Sequence, residues 1–217
     1  MLVQLFISGM NSALTPWMYS KIKKGDIRSM RKVLQLLSVV VVGIAVALML
    51  ISPELVLIFG SPKYREAVYV IPPVAASVFF IFIYNILSMP QFYYEKTQFL
   101  MAASMAAAGA NVVLNFIFIR LFGYIAAGYT TLACYMLYSV GHYIVSKRIL
   151  VNEGIQENLM SPGFLVACSA FLIGASIICN LIFPYRILRY AILLASAGLV
   201  FWKKELLLKT MADIRKK

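Results

Sequence analysis

Asn85, Gln91, Asn111, Asn115 and Asn180 lie inside stretches that carry no charge. A primary amide in an apolar setting is costly unless it meets a hydrogen-bond partner or a wet cavity. These residues therefore suit one of two tasks: bonding one helix to the next, or lining a polar cavity. Ser104, Ala108, Asn111 and Asn115 are spaced i, i+4, i+7 and i+11, which sets them in one narrow stripe along a helix. Asn111, Asn115, Asn85 and Gln91 are the candidate substrate-cavity residues. Pro72, Pro73 and Pro90 remove backbone donors within one long apolar run. They are read either as hinges of a mobile helix or as static kinks.

Ionisable chemistry is sparse. Glu54 and Arg120 fall at the ends of apolar runs, and His142 is the chain's one histidine. A lone histidine without an acidic neighbour builds neither a metal site nor a catalytic triad. It suits an interfacial or helix–helix hydrogen bond, or a proton relay. Arg120 lies about 160° around its helix from the asparagine stripe, at 100° per residue, which turns it away from any cavity there. Asp26 and Asp213 are the two aspartates, and both belong to basic segments. No phosphate-binding glycine loop, HExxH motif or paired intramembrane aspartates occur. No catalytic residue, metal or cofactor is expected, and the chain is not read as an enzyme. Cys134, Cys168 and Cys179 sit in apolar runs without metal-ligand spacing and read as buried thiols.

The elements carrying these residues must be membrane helices. The 217 residues are 62% hydrophobic and 13% charged, outside the range of ordinary soluble domains. The organising stretch is Tyr93–Thr131, where a charged connector (Glu95, Lys96) leads into Thr97–Ile119, a glycine-containing turn (Leu121–Gly128) and a further apolar run. That pattern predicts an antiparallel helix hairpin, and small residues such as Ala103, Ala107 and Gly109 allow close helix approach. Similar runs cover Val33–Pro53, Ala67–Tyr94, Leu121–Ser146 and Asn158–Tyr185, each long enough to cross a bilayer. Tyr190–Trp202 is a shorter sixth. Met1–Tyr19 reads as a helix entered part-way, Gly25 as its terminator and Asp26 as a cap for the next. The tail Lys203–Lys217 is basic and amphipathic and is expected at the membrane surface. The fold class is therefore all-α: a polytopic membrane helical bundle of about six transmembrane helices plus a partial N-terminal helix. Residues 1–32 form the end of a helix and a basic junction, 33–148 a four-helix part, and 149–217 two further helices and the tail.

Alternate connectors differ in charge. One set, at 21–32, 96, 147–148 and the tail, holds 15 of the 20 Lys and Arg; the other, at 63–65, 120 and 186–189, holds five. The positive-inside rule puts the first set and the C-terminus in the cytoplasm. The expected location is the cytoplasmic membrane, with the lipid bilayer as a partner and no nucleic acid.

Several stretches together resemble a known family. Asn11–Asp26 (NSALTPWMYSKIKKGD), Phe92–Thr97 (FYYEKT), the pair Asn111 and Asn115, and Gly123–Thr131 (GYIAAGYTT) are similar to conserved-order motifs of bacterial polysaccharide and O-antigen flippases. These belong to the multidrug/oligosaccharidyl-lipid/polysaccharide exporter superfamily. The resemblance runs from about Asn11 to Arg148, and the last two helices fit the family's extra C-terminal ones. It implies two helical bundles around a central cavity that opens alternately to each side. The cargo it implies is an oligosaccharide linked to polyprenyl diphosphate. Asn111 and Asn115 are the positions with motif support, as structural or cavity residues.

Members of that family have roughly twice as many helices, so the resemblance covers their C-terminal part. The expectation is a truncated or split flippase whose missing N-terminal bundle is supplied in trans or by a second copy. Two alternatives stand beside it: an inactive remnant or scaffold for glycan-assembly enzymes, and an ion-coupled multidrug antiporter. The last class ordinarily uses an intramembrane carboxylate, which these runs lack.

Overall fold

The computed structural model describes residues 2–60 and 62–202, and every regular element among them is a helix. In chain order these are α1 (Leu2–Lys23), α2 (Ile27–Leu50), the short α3 (Ser52–Phe59), a 3-10 helix (Pro62–Val70), α4 (Ile71–Tyr93), α5 (Gln98–Phe122), α6 (Ala126–Asn152), α7 (Pro162–Ile182) and α8 (Arg186–Trp202). Four helical stretches are long and apolar enough to cross a membrane: α2, Arg65–Tyr93, α5 and α7. α6 has the length, at 27 residues, but carries more polar side chains; α8 has 17 residues. The predicted surface tail Lys203–Lys217 lies outside the described residues.

Local chemistry sets the helix ends. Gly25 adopts φ +68° after α1, a backbone state open to glycine without strain. Asp26 caps α2, its carboxylate accepting from the Ser29 N–H at 3.3 Å and pairing with Lys21 Nζ at 2.6 Å. Gly123, at φ +77°, ends α5 and allows the reversal into α6. Pro72 and Pro73 stand in the first turn of α4, where backbone N–H groups have no intrahelical acceptor to lose. They begin the helix rather than interrupt it, and the chain before them is 3-10. Pro90 lies inside α4, within its final turn.

α4 is the centre of the bundle. It packs against α1, α2, α6 and α7, and Phe79, Phe82, Ile83, Ile86 and Leu87 are fully buried. A helix apolar on all sides is suited to this position. Met18 of α1, Leu34 and Met49 of α2, Leu150 of α6 and Leu172 of α7 close around it. α5 stands apart: it packs on α6, and none of its residues is buried.

Several connectors contact one another. On one side Arg31 Nε donates to Asn158 O at 2.7 Å, and Lys96 pairs with Glu153 at 2.9 Å. On the other, Tyr124 OH donates to Glu66 at 2.9 Å, Arg189 pairs with Glu54 at 2.8 Å, and Tyr69 meets Phe183. Each contact joins two connectors of the same set.

Candidate functional site

α4, α5 and α6 enclose a cavity of about 480 Å³. Three members of the predicted stripe, Ser104, Ala108 and Asn111, line it together with Thr131 and three tyrosines, Tyr84, Tyr135 and Tyr138. No lining side chain is charged. The volume falls within the range of small-molecule sites, about 300–1,000 Å³. Because α5 is held mainly by α6, the cavity is a cleft with one thin wall.

Polar side chains along that wall are tied in pairs. Asn115 Nδ2 donates to Asn111 Oδ1 at 2.9 Å, as the i, i+4 spacing allows. Thr130 Oγ1 of α6 donates to Asn115 Oδ1 at 2.6 Å. About two turns before Asn111 on α5, the Ser104 and Tyr138 hydroxyls lie 2.7 Å apart. The two asparagines therefore divide the tasks foreseen for them. Asn115 bonds helix to helix, whereas Asn111 lines the cavity and keeps an amide N–H2 without a protein partner among the described residues. Arg120 is exposed, its guanidinium 3.9 Å from the centre of the Phe116 ring, away from the cavity.

Gln91 and Asn85 take other places. Gln91 is fully buried, and its Nε2 lies 2.7 Å from His142 Nδ1 of α6. His142 is likewise fully buried, among the rings of Tyr84, Phe99 and Tyr138 at 4.5–5.9 Å between centres. Tyr84 and Tyr138 thus form the partition between this amide–imidazole pair and the cavity. Gln91 Oε1 and His142 Nε2 have no hydrogen-bond partner among the described residues. Asn85 donates to the Ile81 carbonyl of its own helix at 2.7 Å, and Asn180 donates to Tyr129 OH at 3.1 Å.

A separate ionic cluster ties α8 to α3. Arg189 Nη1 and Nη2 donate to the two Glu54 carboxylate oxygens at 2.8 and 2.9 Å, and Nη1 also reaches the Leu50 carbonyl at 2.7 Å. Tyr190 OH donates to Glu54 Oε1 at 2.9 Å. The Arg189 hydrogen bonds draw the Glu54 pKa from 4.5 down to about 2, with partial burial opposing them and the Tyr190 hydroxyl assisting. Glu54 is accordingly a paired structural carboxylate.

The tyrosine lining was not singled out from the sequence, although a signal exists. Tyr135, Tyr138 and His142 recur at i, i+3 and i+7 of α6, as Tyr84 and Gln91 do at i and i+7 of α4. Comparison with known protein families, with curated proteins and with solved structures gives no match.

Proposed function

We propose that this chain forms the C-terminal bundle of a flippase that moves polyprenyl-diphosphate-linked oligosaccharide across the cytoplasmic membrane for the synthesis of O-antigen, capsule or exopolysaccharide. The observation that carries the reading is the α4–α5–α6 cavity: uncharged hydroxyl and amide groups gathered with tyrosines inside an otherwise apolar bundle. Such a lining suits the hydroxyl-rich sugar part of that cargo better than an ion or an acyl chain. Three residues of the resembling motifs, Asn111, Asn115 and Thr130, form one bonded chain between α5 and α6, and Asn111 also lines the cavity. In this reading six helices, α2 and α4–α8, cross the membrane, and the connectors rich in Lys and Arg face the cytoplasm. The exposed wall of α5 leaves room for a second helical bundle to complete the cavity.

The antiporter reading is weaker because the Glu54 carboxylate is held by Arg189. The test is complementation. The chain is expressed in a flippase-null strain, alone and together with a front bundle, and surface polysaccharide is measured. Rescue that disappears with Asn111→Leu supports the proposal. No rescue in either setting, with the protein shown in the membrane, refutes transport and favours a scaffold.

A further inference from the structure

Outside the cavity, the cytoplasmic-facing part of α6 carries a second concavity of about 440 Å³, lined by Tyr143, Ile144, Lys147, Arg148, Val151 and Asn152. We propose that it binds the phosphate headgroup of an anionic lipid, with an acyl chain lying against Ile144 and Val151. Three observations carry this. First, the charges are unbalanced. The acids nearby are engaged, Glu153 by Lys96 and Glu157 by Arg31. Lys147 and Arg148 are exposed and form no ion pair among the described residues. Second, the Tyr143 hydroxyl in the same lining is buried without a hydrogen-bond partner among the described residues, a state that calls for a partner. Third, Ile144 and Val151 are exposed apolar side chains about two turns apart on α6, beside the two cations. Donors at the membrane edge next to an apolar track match the two ends of a phospholipid. All six lining residues belong to α6, and Lys and Arg at the cytoplasmic end of a membrane helix attract anionic headgroups.

The inference needs only the membrane orientation, and it stands or falls separately from the flippase reading. The full chain is purified in neutral detergent and titrated with phosphatidylglycerol, phosphatidylcholine or inorganic phosphate, with thermal stabilisation as readout. Stabilisation by phosphatidylglycerol and by neither of the others is expected. Lys147→Gln and Arg148→Gln should each weaken the apparent affinity about fivefold, the weight of one basic residue at an anionic surface. Tyr143→Phe should weaken it further without changing the response to phosphatidylcholine. The control Lys23→Gln/Lys24→Gln removes two exposed charges from the same side and should change it little. Equal loss in that control with no effect of Tyr143→Phe would mean a diffuse basic surface and overturn the site. Stabilisation by inorganic phosphate alone would overturn the lipid as occupant.

Discussion

The bond between α8 and the rest of the bundle rests on Arg189, and a double-mutant cycle with Glu54 measures it. The Arg189 side chain is 4% exposed and that of Glu54 is 20% exposed. Glu54→Gln therefore strands a buried guanidinium, a class of change that costs about 3–5 kcal/mol. A second route gives a similar figure. A carboxylate pKa drawn from 4.5 to about 2 corresponds to about 3 kcal/mol at roughly 1.4 kcal/mol per unit, with some supplied by the Tyr190 hydroxyl and some screened by solvent at the cluster's edge. The expected loss for Glu54→Gln is about 2–3 kcal/mol. Arg189→Met should lose less, since the remaining carboxylate can turn to water, and the double variant should resemble Arg189→Met. The pair then couples by about 2 kcal/mol. The pH dependence has a fixed sign. The folded-state pKa is depressed, so this stabilisation is fully present above about 4.5 and is lost as pH falls toward about 2. The assay is thermal or denaturant unfolding in detergent micelles across that range. Coupling below about 0.5 kcal/mol, or a wild-type advantage that fades between pH 8 and 5, would refute the reasoning.

Other perturbations probe the remaining contacts. Gly128→Ala would bring a Cβ to 2.7 Å from Pro73 Cγ and 2.9 Å from the Val70 carbonyl oxygen, so it should cost about 1–3 kcal/mol, whereas Gly109→Ala meets nothing within 4 Å and should be neutral or slightly stabilising; melting temperatures of the two decide it. Thr130→Val removes the donor to Asn115 and should cost about 0.6 kcal/mol, the typical worth of a hydrogen bond between membrane helices, read from unfolding midpoints. His142→Phe alone should destabilise by about 1–3 kcal/mol because the buried Gln91 amide loses its cross-helix partner and keeps only the Leu87 carbonyl of its own helix, while the joint replacement Gln91→Leu/His142→Phe should recover most of that loss. In a chain lacking Cys134, Cys168 and Cys179, Asn111→Cys should react with a water-soluble thiol reagent faster than Asn115→Cys, since Asn111 lines the cavity and Asn115 faces Thr130; equal rates would contradict the division between them.

What could be read from the sequence depended on range. The Asp26 cap, the Gly25 and Gly123 reversals and the shared face of Asn111 and Asn115 each involve residues within a few positions, so helical spacing reveals them. Partners far apart are hidden. Gln91 and His142 are 51 positions apart, and Glu54 and Arg189 are 135 apart. Hydropathy marks such residues as unusual but does not say which meets which. It also misleads at Pro72 and Pro73. The apolar run continues through Val68, Tyr69 and Val70, so the prolines looked internal, although the α-helix starts only at Ile71.

The same distinction explains how glue and cavity can share one stripe. An amide in lipid must be satisfied wherever it points, so position on a helix face alone cannot separate the two roles. The partner on the next helix separates them. Thr130 lies opposite Asn115 and captures its carbonyl oxygen, whereas the positions that share the cavity with Asn111 are Thr131 and the tyrosines, none of which bonds to it. Moving Thr130 one position along α6 would turn its hydroxyl by about 100° away from Asn115. Asn115 would then be as free as Asn111, at the expense of the hydrogen bond that holds α5 to the bundle near its Gly123 end.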